Sequence, residues 1–189
     1  EIKTVSKEEL PKISIITSVY DGDEYIRGFM EDITSQTVFN NCELIMIDAA
    51  SPGNEEQVIR EYMEKHDNII YKKLDKDPGI YGAWNEAINL ATGDYVTNAN
   101  LDDRKAPWPL ERHASELYLN EHVDLVYADS FITNKPNETF DENSSDGRRY
   151  NFEQFSKEAM LRGNQPHNNP MWRRSLHDEH GNFSANSKS

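Results

Sequence analysis

The stretch "KISIITSVYDGDEY", residues 12 to 25, constrains the fold of this chain more than any other. Its Ile-rich run lacks the polar alternation of a half-exposed strand and stops at an Asp-Gly pair, the pattern of a strand buried on both faces and ended by a turn. Directly after it, "DEYIRGFMEDITSQT" sets Tyr25, Ile26, Phe29, Met30 and Ile33 at helical spacing, which predicts an amphipathic helix. The design recurs: "CELIMIDAASPG" reads as a second strand and turn, and "NEEQVIREYMEKH" as a second helix. A third strand, "NIIYKKL", leads through the turn-rich "DKDPGIYG" to a helix in "AWNEAINLA" closed by Gly93, and "ATGDYVTNANLDD" supplies a fourth strand. Strands buried on both faces need cover on both sides. The alternation therefore predicts an α/β fold with an open, mainly parallel central sheet and helices on both faces.

The second half is less patterned. "PLERHASELYLN" and "VDLVYAD" predict a helix and a strand, "KPNETFDENSSDGRRY" a loop or edge hairpin, and "NFEQFSKEAMLRGN" a short helix. The segment 1–11 is expected to be a short, loosely attached lead-in. The chain opens on Glu1 and closes on the polar "GNFSANSKS", so both ends are expected to be cut or processed ends of an excised domain.

With 189 residues the chain suits one sizeable domain with a proper core. A formal charge of −14 excludes a general nucleic-acid binder, because phosphate backbones are held by excess Lys and Arg. The lone Cys42 excludes an intrachain disulfide framework and a cysteine-rich zinc site. That fits a reducing compartment, and a cytoplasmic location is the expectation. No apolar run approaches the roughly 20 residues needed to cross a bilayer, so no integral membrane segment is expected, although other parts of a longer protein would be able to hold it at the inner membrane face.

In open α/β sheets ligands bind beyond the carboxyl ends of the strands. Thr17, Ser18, Tyr20 and Asp21 stand there on the first strand, Asp48 on the second, and Asn100, Asp102 and Asp103 on the fourth. Taken singly, Asp21 and Ser51 read more readily as N-caps of the following helices. Asp102 and Asp103 are adjacent carboxylates that repel each other unless a cation or hydrogen-bond donors compensate. Mg²⁺ uses one or two carboxylates together with substrate phosphates, so the pair suits a metal–nucleotide complex. Equally open on these residues alone is a solvated turn in which the pair meets Arg104 and Lys105 and caps the next helix. A Rossmann-type phosphate site is disfavoured, because no Gly-rich loop follows the first strand.

The blocks "KISIITSVYDGDEYI", "SQTVFNNCELIMIDAASPGN", "KDPGIYGAWNEAINLATGDYV" and "NANLDD" resemble the nucleotide-binding half of family-2 glycosyltransferases, which have the GT-A fold. The likeness runs from Lys12 to Asp103 and more thinly through "GNQPHNNPMWRRSLHDEHGNF". It implies a nucleotide-sugar-binding half over 12–103 and an acceptor-side half over 104–189, incomplete at its C-terminal end. It also implies base contacts from Thr17, Tyr20 and Asp48, with Ala49 standing where the family has a second acid. The family's Asp-x-Asp metal motif falls on Asn100, Leu101 and Asp102, followed by Asp103. Asp102 is then the direct ligand of Mn²⁺ or Mg²⁺, and Asp103 a ligand through water or a sugar contact. Asn100 keeps a carbonyl oxygen but no charge. Around this centre, Gly79 allows close approach to phosphate, and Tyr81 in the loop is a better ligand candidate than Trp84, which suits core packing. Trp108 flanks the pocket. His167 is a candidate substrate contact, although a lone His is more often structural.

The resemblance further implies inverting transfer from a UDP-linked sugar to a saccharide acceptor in polysaccharide or glycan synthesis. In the family a carboxylate base follows a Gly-x-Phe segment, matched by Gly181, Asn182 and Phe183. The chain ends at Ser189 before a candidate appears, and Asp178 and Glu179 read as surface helix residues. The alternative is a non-catalytic nucleotide-sugar or carbohydrate-binding module.

Overall fold

A computed structural model describes residues 5–150, 155–167 and 169–184. Chain order is β1 (Ile13–Val19), α1 (Ile26–Thr34), a 3₁₀ turn (Phe39–Asn41), β2 (Cys42–Asp48), α2 (Glu55–Met63), β3 (Ile69–Lys73), α3 (Ile80–Leu90) and β4 (Tyr95–Asn98). Then come α4 (Pro109–Leu119), β5 (Leu125–Tyr127), α5 (Lys157–Arg162), β6 (Pro170–Arg173) and α6 (Ser175–His180). The six strands form one sheet in the order β3-β2-β1-β4-β6-β5. β1 pairs in parallel with β2 and β4, and β2 with β3, whereas β6 is antiparallel to both β4 and β5.

The expected α/β architecture is thus present, and its core follows from strand alternation. Ile13, Ile15 and Val19 of β1 join Leu44 and Met46 of β2 on one face, under Phe29, Met30 and Ile33 of α1, Ile59 of α2 and Leu110 and Leu117 of α4. Ile16, Ile45, Ile47 and Val96 point the other way, under Ala83 and Ala87 of α3 and against Trp172. Burying a side chain such as Phe29 or Ile33 contributes about 1.5–3 kcal/mol. The stripe Ile26, Phe29, Met30, Ile33 supplies that contribution along the whole of α1.

Three expectations change. β6 was not anticipated: the strand expected next in the sheet, 123–129, lies at the edge, and Pro170–Arg173 inserts between it and β4. Four residues that begin with a proline and end with an arginine carry no periodicity; their strand character comes from the free edge of β4. The described part of the lead-in, 5–11, is not loose, and residues 1–4 lie outside the described residues. Leu10 is 5% exposed, the Val5 amide donates to Ser115 Oγ at 3.2 Å, and Lys7 Nζ donates to the Thr37 carbonyl at 2.9 Å. α3 begins at Ile80, so Tyr81 belongs to a helix rather than to the loop. Asp77 Oδ1 accepts the Gly79 amide at 2.7 Å and Gly79 has φ +75°, which ends the loop and starts the helix at once. The segment 135–150 does return as a hairpin-like excursion, bridged at Phe131 and Arg149.

The amino end of the sheet is closed by Glu43 of β2. It is buried and accepts from Lys12 Nζ (2.7 Å), Ser14 Oγ (2.6 Å), the Thr92 amide (2.6 Å) and the Thr92 hydroxyl (2.9 Å). Burial alone would raise its pKa, but the bonds from Lys12, Ser14 and Thr92 outweigh burial and hold it at about 2. Gly93 closes the same corner: a Cβ there would stand 2.7 Å from the Lys12 carbonyl and 2.8 Å from the Ser14 nitrogen, both backbone atoms.

A carboxylate whose folded pKa lies below its unfolded value of roughly 4.3 stabilises above that value and loses the contribution as pH falls through the folded pKa. Wild-type stability should therefore drop between about pH 4.5 and 2 by an amount on the order of 2 kcal/mol from this group. Glu43→Gln should start lower at pH 7 and show that much less acid dependence, as measured by urea melts across this range.

Candidate functional site

The carboxyl ends of β1, β2 and β4 converge beside the start of α3. At the end of β1, Thr17 shares the face of Ile15 and Val19 and is 0% exposed, its hydroxyl without a hydrogen-bond partner among the described residues. The structure therefore buries Thr17 on the face of Ile15 and Val19. Tyr20, one residue past the strand, is 52% exposed. Asp21 takes φ 47°, a left-handed conformation uncommon outside glycine. It does not cap α1, whose N-cap position is Tyr25.

Asp48 ends β2 at 1% exposure with both carboxylate oxygens engaged. Oδ1 accepts the Ser51 amide at 2.7 Å and Oδ2 accepts the Tyr71 hydroxyl at 2.5 Å, with Lys73 Nζ 3.5 Å away. Burial and then the bond to Asp48 push the Tyr71 phenol pKa well above its usual value, so Tyr71 remains a hydroxyl donor. Asp48 thus organises the loop 48–51 and the end of β3. Ser51, in turn, is not a helix cap but a relay: its hydroxyl lies 2.9 Å from both carboxylate oxygens of Glu55 and accepts the Asp21 amide at 3.0 Å.

After β4 the chain turns through Asn100, Leu101, Asp102 and Asp103. Leu101 is buried under Gly22, where a Cβ would meet its Cδ1 at 2.3 Å. Asp102 is exposed and makes no hydrogen bond or ion pair among the described residues. Asp103 is half-buried, and its Oδ2 accepts the Asn100 amide at 3.1 Å. Burial raises the Asp103 pKa and the charge of Asp102 adds to the rise, while Lys105, the Asn100 bond and His167 oppose it. Asn100, Asp103, Lys105 and His167 are therefore brought together. His167 has φ 44° and its ring lies 4.2 Å from that of Tyr150.

The solvated-turn alternative fails for Arg104 and for the helix cap, whereas Lys105 does act on Asp103, lowering its pKa. Arg104 turns away from the aspartates to Asp32 of α1, donating from Nε at 2.7 Å and Nη2 at 3.0 Å, and to the Asn137 carbonyl at 3.0 Å. Asp32 also accepts the Lys105 amide at 2.8 Å. Neither aspartate caps α4, whose N-cap residue is Trp108 with no side-chain cap bond. Trp108 is itself occupied by the Arg112 guanidinium, 3.7 Å above its ring.

On the α3 side, Gly79 is exposed with open space where a side chain would be. Tyr81 packs on Trp84 at 5.6 Å and near Phe183 at 5.8 Å. Trp84 joins the core as expected. Phe183 is held by a reciprocal pair of bonds with Asn85, its amide donating at 2.9 Å and its carbonyl accepting at 2.8 Å. The structure thus docks the Gly181–Phe183 segment onto α3. Glu55, Asp32 and Asn85 were not singled out from the sequence. Ser51 four residues before the first residue of α2 was the available sign for Glu55, whereas the other two contacts are long-range.

Arg104 and Asp32 are mostly buried, with side chains 13% and 16% exposed. Removing one partner of such a pair strands the other charge, which costs roughly 3–5 kcal/mol when fully buried and less here. Arg104→Met should lower the unfolding free energy by about 2 kcal/mol. Arg104→Lys should restore little of it, because a lysine cannot reproduce the two-pronged contact; chemical denaturation of the three proteins measures both effects.

The Glycosyl transferase family 2 profile matches residues 14–189. The minor teichoic acid biosynthesis protein GgaB of Bacillus subtilis is 33% identical over 118 residues, 60% of this chain and 13% of GgaB. S. aureus TarS, solved with UDP as residues 1–349, superposes with a TM-score of 0.74 at 19% identity, covering 94% of this chain and 52% of that one. The mannosyltransferase PcManGT from Pyrobaculum calidifontis, solved with GDP-Man and Mn²⁺, gives 0.70 at 15% identity, covering 98% and 51%. The chain thus spans about half the length of these solved structures, and the likeness shows a shared GT-A fold. No described helix is long and apolar enough to cross a membrane. A profile match over nearly the whole chain, on a sheet of this topology, makes the protein a member of the family 2 glycosyl transferases.

Proposed function

We propose that this chain forms the donor-binding part of an inverting glycosyltransferase that moves a sugar from a UDP-linked donor to a saccharide acceptor in polysaccharide or glycan synthesis. The observation that carries the reading is the exposed, unbonded Asp102 beside the half-buried Asp103–Asn100 pair, at the carboxyl end of β4. An acid left free at this position, while its neighbours Arg104 and Asp103 are engaged, is available to a ligand.

Among the described residues no group of three or more His, Cys, Asp or Glu is placed to hold a metal. The residues nevertheless fit Mn²⁺ or Mg²⁺ as these ions are used with nucleotides, through one or two carboxylates with phosphate and water completing the shell. Asp102 would hold it directly, with Asp103 behind. When bound, such an ion supplies positive charge against the departing diphosphate. PcManGT with GDP-Man and Mn²⁺ and TarS with UDP support the donor class.

The remaining roles fall to the chain's own groups. Tyr20 offers an exposed ring to the nucleoside, Gly79 an open backbone approach, and Lys105 and His167 stand on the Asp103 side for the phosphate or sugar. In transfer, the acceptor oxygen bonds to the anomeric carbon as the bond to the diphosphate breaks, and a carboxylate takes the acceptor proton. Asp178 and Glu179 of α6 are exposed, and we assign them no part in this step. A second reading, donor binding without transfer, is favoured by the neutral Asn100, whose amide is spent on Asp103.

Titration calorimetry with UDP, with and without Mn²⁺, tests the site. Wild type should bind UDP more tightly with Mn²⁺. Asp102→Ala should lose at least tenfold in that affinity while its melting temperature stays put, since exposed, unbonded positions change stability by only about 0.5 kcal/mol. Unchanged metal-dependent affinity in the variant sinks the assignment. Donor hydrolysis and transfer assays then separate transferase from binder.

A further inference from the structure

Glu55 is the first residue of α2, where an acid is ordinary because it meets the positive end of the helix dipole. Its burial is not ordinary. It is 1% exposed, and its carboxylate turns back across two loops to neutral donors, the Gly22 amide and the Ser51 hydroxyl. Glu43, the other buried glutamate among the described residues, has Lys12 as a cationic partner. A carboxylate buried on neutral donors alone is costly to keep, which makes its placement informative.

The two loops are those that follow β1 and β2, neighbours in the sheet. Through Glu55 and Ser51 two consecutive amides of the first loop are pinned, Gly22 directly and Asp21 by way of the Ser51 hydroxyl. That pinning sustains the left-handed Asp21, a conformation costing on the order of 1 kcal/mol. A second bond, from the Asn54 amide to Asp23 Oδ1 at 2.6 Å, ties the loops again. Gly53 is required beside them: a Cβ would lie 2.6 Å from Glu55 Oε2 and 2.9 Å from Asp23 Cγ. Gly22 in turn rests on Leu101, between Asn100 and Asp102. One buried carboxylate thus sets both the loop that carries Tyr20 and, through Gly22 and Leu101, the turn that carries the acidic pair.

We propose that Glu55 is a positioning residue for nucleotide-donor binding, acting through the Gly22 and Asp21 amides to hold Tyr20 and, through Leu101, to hold the Asp102 turn. The proposal rests on the donor-site reading above. Glu55 touches no ligand itself.

The test compares Glu55→Gln with Glu43→Gln, a buried carboxylate at the opposite end of the same sheet. Glutamine keeps the shape but offers one neutral acceptor oxygen where Glu55 has two charged ones, so the Gly22 amide and the Ser51 hydroxyl lose the charged acceptor they share. In Glu55→Gln, hydrogen exchange at the Asp21 and Gly22 amides should quicken at least tenfold and UDP affinity in Mn²⁺ should fall at least tenfold. Glu43→Gln should lower the melting temperature while UDP affinity stays within twofold of wild type. Ser51→Ala, which removes only the relay, should move exchange and affinity in the same direction if Glu55→Gln folds poorly. Wild-type affinity in both Glu55→Gln and Ser51→Ala, or equal loss of affinity in Glu43→Gln, overturns the proposal. If wild type binds no nucleotide, the donor-site reading falls and the functional half of this inference with it, while the exchange measurement alone decides whether Glu55 pins the loop.

Discussion

The structure depends on β1 and β2 being buried on both faces. Residues Ile13–Val19 and Cys42–Asp48 are almost entirely shielded from water, so the centre of the sheet has no polar face on which to place a binding site. Polar groups can gather only at the two ends, where strand backbones stop pairing and their amides need other partners. Each end is closed by a buried carboxylate. Glu43 gathers Lys12, Ser14 and the α3–β4 turn at the amino end, and Asp48 and Glu55 gather the loops after β1, β2 and β3 at the carboxyl end. Both closures include a lysine, Lys12 on Glu43 and Lys73 on Asp48. The second leaves exposed residues, Tyr20 and Asp102, standing on a fixed support.

Much of this was legible in the sequence because the signals were local. The repeated apolar run, turn and amphipathic helix specify four parallel strands with cover on both faces. The helix of α1 follows directly from the spacing of Ile26, Phe29, Met30 and Ile33. β6 was not legible, since the free edge of β4 makes a strand of Pro170–Arg173 and no pattern within those residues does. The attachment of the lead-in was hidden for a similar reason: one buried leucine in a charged segment carries no periodicity.

The site was legible in its acids and less so in its partners. Adjacent aspartates after a strand raise the question of a cation from sequence alone, but whether Arg104 answers it depends on Asp32, more than seventy residues away on α1. Strand alternation bears on Thr17 directly. Two residues from both Ile15 and Val19, it shares their buried face, and the accessible positions at that strand end are Ser18, half-buried, and Tyr20.

The electrostatics of the acidic turn follow from this division of partners. With Arg104 committed to Asp32, the larger positive influence left on Asp103 is that of Lys105, itself half-buried and penalised by that burial, with His167 adding a smaller one. Asn100 contributes a donor and no charge, so the turn carries two carboxylates where three acids would repel more strongly. Burial holds Asp103 toward its neutral form, whereas Asp102 faces water. The two carboxylates are therefore inequivalent before any ligand arrives. For the proposed cation, Asp102 is the carboxylate already standing in water, whereas contact with Asp103 has also to offset that residue's burial.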